Sequence, residues 1–310
     1  MSISRRNFIG GMGAAGVTAF LPAQSTESFH LNPLPISCNQ YAWFTFYNRE
    51  KKDWFADLDS SLADYALSGL KAFEPGINNV DEVKKLLPLL KKHNLSMPSL
   101  YANSTLHKAD EAQRSIQSVI EIADAAHEAG TGIIVTNPNP IEWGSDKNKT
   151  DAELIEQANN LDKLGAALKR KGVRLAYHMH DVELRLAARE LHHMLQATHP
   201  QNVSLCLDVH WVYRGSGNSQ VALFDIVSLY GKRIVELHIR QSKDGVWQEV
   251  LGEGDINYRR LVNVLNKIHV RPHLVLEQCL ESKSPHTMNA VEAHKQDLMY
   301  SKDVFGAWLQ

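Results

Sequence analysis

Four short runs in this 310-residue chain end in side chains of the kind that bind metal ions. Leu175-Ala-Tyr-His-Met-His-Asp181 offers His178 and His180. Asp208 and His210 follow about 30 residues later, His238 and Arg240 about 30 after that, and Glu277 closes a fourth run. Each run reads as a β-strand, and side chains at i and i+2 of a strand share a face. Two imidazoles and two carboxylates (His178, Asp208, His238 and Glu277) make a mixed nitrogen–oxygen shell for one divalent ion such as Mn, Co, Zn or Fe, unlike a closed thiolate site. His180 can replace His178 in that set, and Glu183 is a further candidate. A lone histidine is more often a hydrogen-bonded core group. Ligand-type side chains on four strand ends argue instead for a site. Other polar or aromatic side chains gather at strand ends: Gln40, Glu74, Asn137, His210, Trp211 and Arg240. A charge placed there costs desolvation energy unless it is paired or metal-bound.

The elements that position these residues alternate without a break. Strand-like runs cover residues 36–41, 70–74, 97–101, 132–136, 173–180, 203–209, 234–239 and 273–277. Helical periods separate them. Ile116, Val119, Ile120 and Ala123 fall on one face, and Leu154, Ala158, Leu161, Leu164 and Leu168 on another. Thr150 and Glu153 form a capping-box pair that opens the second of these helices. A helix is expected at 57–68, another at 81–93 with a kink or early stop at Pro88, and others at 183–197, 218–229, 256–268 and 285–309. An insertion at 241–255 has the Asp244-Gly245 pair of a small hairpin. Strands that alternate with helices call for a parallel sheet, and eight pairs close as an α/β (β/α)8 TIM barrel, a single domain over residues 24–310. An open doubly wound sheet is the alternative, but no G-x-G-x-x-G follows the first strand. In such a barrel the active site lies at the C-terminal strand ends, where the candidate ligands are.

Composition allows a large core, with 44% hydrophobic and 22% charged residues. Cys38, Cys206 and Cys279 lie in strand-like runs, form no C-x-x-C pair and read as buried thiols. Ser4-Arg-Arg-Asn-Phe-Ile-Gly10, then a weakly apolar run and small residues before Ala23, looks like a twin-arginine export signal. Residues 1–23 are therefore expected to direct export to the periplasm, with the twin-arginine machinery as a partner. The whole chain carries a net charge of -2, and loss of Arg5 and Arg6 leaves it near -4, with no basic excess for nucleic acid.

The runs Tyr177-His-Met-His-Asp-Val-Glu183, Leu207-Asp-Val-His-Trp211, Leu237-His-Ile-Arg240 and Leu251-Gly-Glu-Gly-Asp-Ile256 resemble motifs of the xylose isomerase-like TIM-barrel superfamily. The nearest branch is that of sugar phosphate isomerase/epimerase-type proteins, and the likeness extends over residues 34–309. It implies one divalent metal on His178, Asp208, His238 and Glu277, a small carbohydrate substrate and possible homo-oligomers. It implies catalysis by proton transfer next to a carbonyl, which the metal polarises. Glu277 or a metal-free His180 would be the base, with Arg240 either countering oxyanion charge or forming a salt bridge at the barrel mouth. Glu74, His210, Trp211, Asn137 and Gln40 would contact substrate. Trp211, Tyr41, Trp143 and Trp247 would stack on a sugar face or pack in core or lid. Two departures stand out. Epimerases of this group keep a glutamate at the end of strand five, where this chain has His178, and the usual Asp-x-x-His after strand six becomes Asp208-Val-His210. His-x-His-Asp branches include inosose dehydratase-like proteins and lyases or hydratases of 3-keto-glucosides. The expectation is thus an isomerase or epimerase, with a lyase or dehydratase as alternative. A DNA endonuclease and a non-catalytic sugar-binding barrel are the competing classes.

Overall fold

Eight short parallel strands make one sheet in the computed structural model, which describes residues 35–309. The expected export segment, residues 1–23, lies outside the described residues. The strands are β1 (Ser37–Asn39), β2 (Ala72–Glu74), β3 (Ser99–Tyr101), β4 (Ile133–Thr136), β5 (Arg174–Tyr177), β6 (Val203–Asp208), β7 (Ile234–Ile239) and, after a two-stranded hairpin of β8 (Ser242–Lys243) and β9 (Val246–Trp247), β10 (His273–Leu276). Their order is β2-β1-β10-β7-β6-β5-β4-β3. The two ends of that row meet through single parallel bridges, Ala72 with Ser96 and Gly76 with Tyr101, so the barrel is nearly closed. The (β/α)8 architecture read from the alternation is the one observed.

Period-two alternation sorts each strand's side chains. Leu100, Ile134, Leu175, Tyr177, Leu205, Leu207, Leu237 and Leu276 join the large apolar cluster between strands and helices. Their neighbours Ile133, Val135, Ala176 and Cys206 form a separate small cluster facing the other way. Following that second parity to the C-terminal end of each strand brings Asp208 and His238, and one residue past the strand end His178 and Glu277, to one face. Asp208 and His238 are register partners, as are Val275 and His238.

Two helices arise where the sequence reading extended strands. α1 (Gln40–Arg49) follows β1 directly, because the Asn39 side chain accepts the Tyr41 N–H and caps it. The expected strand through Gln40 and Tyr41 therefore ends at Asn39. Trp43 of α1 is fully buried, stacked on His294 and beside Trp54 and Tyr65, which explains the apolar run. α7 (Val209–Gly215) likewise starts at once after β6, capped by Asp208, so His210 and Trp211 are helical. The remaining helices fall near their expected places: α2 (Leu58–Leu67), α3 (Val80–Lys92), α4 (Ala109–His127), α5 (Asp151–Lys169), α6 (Arg185–Ala197), α8 (Gln220–Tyr230), α9 (Tyr258–Lys267) and α10 (Ala290–Phe305). α3 runs through Pro88 to Lys92 without stopping. A proline removes one ladder hydrogen bond, and here Val83, Leu86 and Leu90 keep that helix face buried. The Thr150–Glu153 capping box is formed in both directions. α6 starts irregularly, with Leu186, Ala187 and Ala188 at left-handed φ of 52, 60 and 56°.

Candidate metal centre and active site

His178, Asp208, His238 and Glu277 each present one ligand atom, and these atoms all lie within 4.8 Å of one another. His178 Nδ1 lies 3.3 Å from the Tyr101 hydroxyl, which orients the ring. Its Nε2 is 3.6 Å from Asp208 Oδ2, too far for a hydrogen bond, and both atoms are buried with no hydrogen-bond partner. Asp208 Oδ1 is already used, accepting the Trp211 N–H at 2.7 Å as the cap of α7. Unpartnered buried polar atoms are rare because each costs about 1–3 kcal/mol. A facing pair of them, beside a second histidine and a second carboxylate, fits a divalent cation.

His238 has carboxylates on both sides. Nδ1 faces Glu277 Oε2 at 3.2 Å, while Nε2 faces Glu74 Oε2 at 3.1 Å and Glu236 Oε1 at 3.4 Å. A carboxylate on the far nitrogen is the usual support of a metal-binding histidine. Glu74 is itself held by Asn39 Nδ2 at 2.6 Å and Ser99 Oγ at 3.1 Å. Burial opposes the charged form of Glu74, but His238 and Asn39 outweigh it and hold the carboxyl at about 2. Burial, then repulsion from Glu74, pushes Glu236 up to about 8. Two other groups of three, His178–Cys206–His238 and Glu74–Glu236–His238, share His238. Glu74 is already held by Asn39, Ser99 and His238, Glu236 turns one oxygen to His238 and leaves the other unpartnered, and burial raises the Cys206 thiol. The four-residue set combines unpartnered atoms with access to a cavity through Glu277.

That cavity measures about 440 Å³. Its lining includes Asn39, Gln40, Tyr101, Asn103, His180 and Glu277, and on its outer side Tyr41, Phe44, Phe55 and Trp143. Arg240 lies beside it rather than in its lining. Its Nε donates to the Glu277 carbonyl oxygen at 2.8 Å, and its Nη2 is 3.2 Å from Glu277 Oε2. The guanidinium lies 4.2 Å from the Trp247 ring centroid. Burial would raise the Glu277 carboxyl, but His238 and Arg240 bring it down to about 2.

The amide of Asn137 sets the state of His180. Its Nδ2 donates to Glu183 Oε1 and to the His178 carbonyl oxygen, each at 3.1 Å. Its Oδ1 therefore faces His180 Nδ1, 3.1 Å away, and that nitrogen must carry the proton. Nε2 is left with the lone pair. Glu183 Oε2 also accepts the His180 N–H at 2.7 Å. Burial, then the charge of His178, pushes the His180 pKa well down, so the ring is a neutral acceptor. His178 and His180 lie just beyond the observed end of β5, yet their ring centroids stay 4.8 Å apart.

Of the side chains expected to touch substrate, Gln40 lines the cavity and Trp211 packs edge-on to His180. Glu74, Asn137 and His210 are fully buried against protein partners: His238, His180 and the Ser242 hydroxyl. Tyr101, Glu236, Phe44 and Phe55 were not singled out in the sequence. Period two on β7 points to Glu236, two residues before His238, whereas Phe55 lies in a loop with no such marker.

Residues 62–303 match the xylose isomerase-like TIM barrel family. The chain belongs to that family. It is 22% identical over 247 residues to an inosose dehydratase of Clostridium perfringens, covering 71% of this chain and 81% of that protein. A solved structure of a sugar phosphate isomerase/epimerase from Parabacteroides distasonis superposes with a TM-score of 0.68 at 16% identity, covering 94% of this chain and all of the other. A xylose isomerase-like TIM barrel protein from Mycobacterium smegmatis, solved in complex with magnesium, superposes at 0.66 with 13% identity, covering 89% and 98%. A sugar-modifying enzyme is the activity class these relatives support.

Proposed function

We propose that this protein is a divalent-metal-dependent enzyme that removes a proton next to the carbonyl of a neutral keto sugar or inosose, and that its reaction is elimination of the dehydratase or lyase type. The observation that carries the reading is the pairing of a four-ligand cluster with a neutral histidine base at one cavity. His178, Asp208, His238 and Glu277 would hold the metal, which supplies Lewis-acid polarisation of a carbonyl and charge stabilisation when bound. His180, fixed by Asn137 with its lone pair on Nε2, takes the α proton. The C–H electrons form the new double bond, the β C–O bond breaks, and the departing oxygen takes back a proton from His180. Epimerisation with a carboxylate on each face of the carbon is poorly served, because the β5 end supplies histidines. The name of the curated relatives, inosose dehydratase, agrees with elimination. The isomerase or epimerase reading rests on the motif resemblance and on the names of structural neighbours, and is the second reading. Among the described residues, no lysine or arginine lines the cavity, which favours a neutral substrate over a phosphorylated one.

The test is a set of keto sugars, keto-glucosides and inosose with Mn or Co, followed by proton NMR in D2O. Elimination produces a vinylic carbon and a released alcohol or water, whereas isomerisation or epimerisation produces exchange and a rearranged sugar. His178→Ala is expected to lose metal and exchange together. His180→Ala is expected to keep metal and lose roughly 10²–10⁴ in rate, the range of one general base. Metal loss in His180→Ala with retention in His178→Ala would reverse the two assignments.

A further inference from the structure

Nine large hydrophobic side chains remain exposed among the described residues, and three of them are aromatic: Tyr41 at 53%, Phe55 at 55% and Trp143 at 53%. The aliphatic ones, such as Leu67, Ile155 and Met299, are spread over outer helices. All three aromatic ones line the same cavity. Tyr41 stacks on Phe44 with ring centroids 5.9 Å apart and planes 25° apart, and Phe44 packs on Phe55 at 6.1 Å. Trp143 comes from the β4–α5 loop and packs edge-on to His180 at 5.3 Å. The cavity therefore has a buried polar side at Glu277, His180 and Asn39, and a more exposed side walled by aromatic rings. Its volume of about 440 Å³ lies in the range that encloses drug-sized ligands, more than one hexose requires.

We infer that the exposed side is a binding subsite for a second ring, joined through a glycosidic oxygen to the sugar on the buried side, so that the substrate is a neutral glycoside rather than a free monosaccharide. This rests on the sugar reading above and adds the substrate class. Aromatic faces exposed to water are costly unless a ligand covers them, and a flat ring with an apolar face, either a pyranose or an aryl group, matches their shape. Phe55 lies between α1 and α2 and makes its ring contact with Phe44, whereas Trp143 touches His180, so substitutions at Phe55 probe this subsite with less disturbance of the proposed base.

The experiment is isothermal titration of the metal-loaded full chain with the keto forms of methyl glucoside, phenyl glucoside and a glucosyl-glucose disaccharide, each as both anomers. Two-ring ligands are expected to bind roughly tenfold tighter than the keto methyl glucoside, the scale of one good ring-on-ring contact. That ratio should fall toward one in Phe55→Ala and Tyr41→Ala and persist in Phe55→Tyr. The phenyl and disaccharide arms separate an aryl from a sugar second ring. Equal affinities in the wild type overturn the inference and leave the sugar reading standing. Failure of every sugar to bind overturns both. Light scattering that finds an oligomer which dissociates in the Phe55→Ala protein shows a second copy covering these rings, and overturns the inference too.

Discussion

Asp208 does two jobs with its two oxygens, and the jobs can be separated. Oδ1 caps α7 through the Trp211 N–H, and Oδ2 is the unpartnered oxygen facing His178. Asparagine caps a helix about as well as aspartate but brings no anionic ligand. Asp208→Asn is therefore expected to keep the apo protein's stability and to weaken metal binding at least tenfold. Asp208→Ala should lose metal as well and a further ~1 kcal/mol through the missing cap. Chelator competition and urea unfolding of the apo protein read the two effects separately, and equal stability losses in both variants would deny the cap its role. The same double use explains a gap in what could be read from sequence. Asn39 and Asp208 both look like strand-end polar residues, and both are also the caps of helices that start one residue later. With no loop between strand and helix, there was no turn signal to mark α1 or α7. The ligand types and their spacing were legible, because four strand ends repeat them. The supports were less so: the sequence marks Asn137 only as a substrate contact and does not single out Tyr101, because both act through contacts between strands that sequence order does not bring together, whereas Glu236 shares a strand with His238 and period two alone marks it.

The β8–β9 hairpin shows local chemistry deciding an element. Asp244 and Gly245 have φ of 54 and 77°, the pair of left-handed residues that a tight hairpin turn requires, so the Asp-Gly reading corresponds to the turn observed. The Leu251-Gly-Glu-Gly-Asp-Ile256 run braces it from below. Asp255 accepts from the Ser242 hydroxyl at 2.7 Å and from the Asp244 and Gly245 N–H groups at 2.9 Å. Gly254 lies so close that a Cβ there would stand 2.2 Å from the Ser242 carbonyl oxygen. Ser242 also holds His210, and the Trp247 N–H donates to Glu281, so the hairpin is tied to α7 and to the loop after β10. Gly254→Ala must push this backbone apart. Overpacking of a closed site costs about 1–3 kcal/mol, and hydrogen exchange should show faster opening of residues 242–247 with the barrel strands unchanged. A Gly254→Ala variant as stable as wild type would mean that the loop relaxes freely.

At the scale of the whole molecule, the barrel was legible because strand–helix alternation is a long-range pattern that survives boundary errors of several residues. We propose that residues 1–23 send this folded barrel to the periplasm. Replacing Arg5 and Arg6 together by lysine is then expected to leave the protein in the cytoplasmic fraction, as read by cell fractionation. Its global stability should also carry a pH signature from one carboxyl outside the metal-binding set. Asp297 of α10 is fully buried, its Oδ1 accepts the Leu251 N–H at 2.6 Å, and its Oδ2 has no hydrogen-bond partner. Burial pushes its pKa up to about 8, against the opposing pull of that N–H. An aspartate in the unfolded chain ionises near ~3.9. Between those values the folded protein holds a proton that the unfolded chain has released, so stability is greatest below about pH 4 as far as this group is concerned and falls as pH rises to about 8. At about 1.4 kcal/mol per pKa unit, the loss has an upper bound of roughly 6 kcal/mol. Asp297→Asn keeps an acceptor for Leu251 and removes the titration. Its urea midpoint should change less between pH 5 and pH 8 than that of the wild type, and at pH 8 it should be the more stable protein. Parallel pH profiles for the two proteins would show that Asp297 ionises normally in the fold.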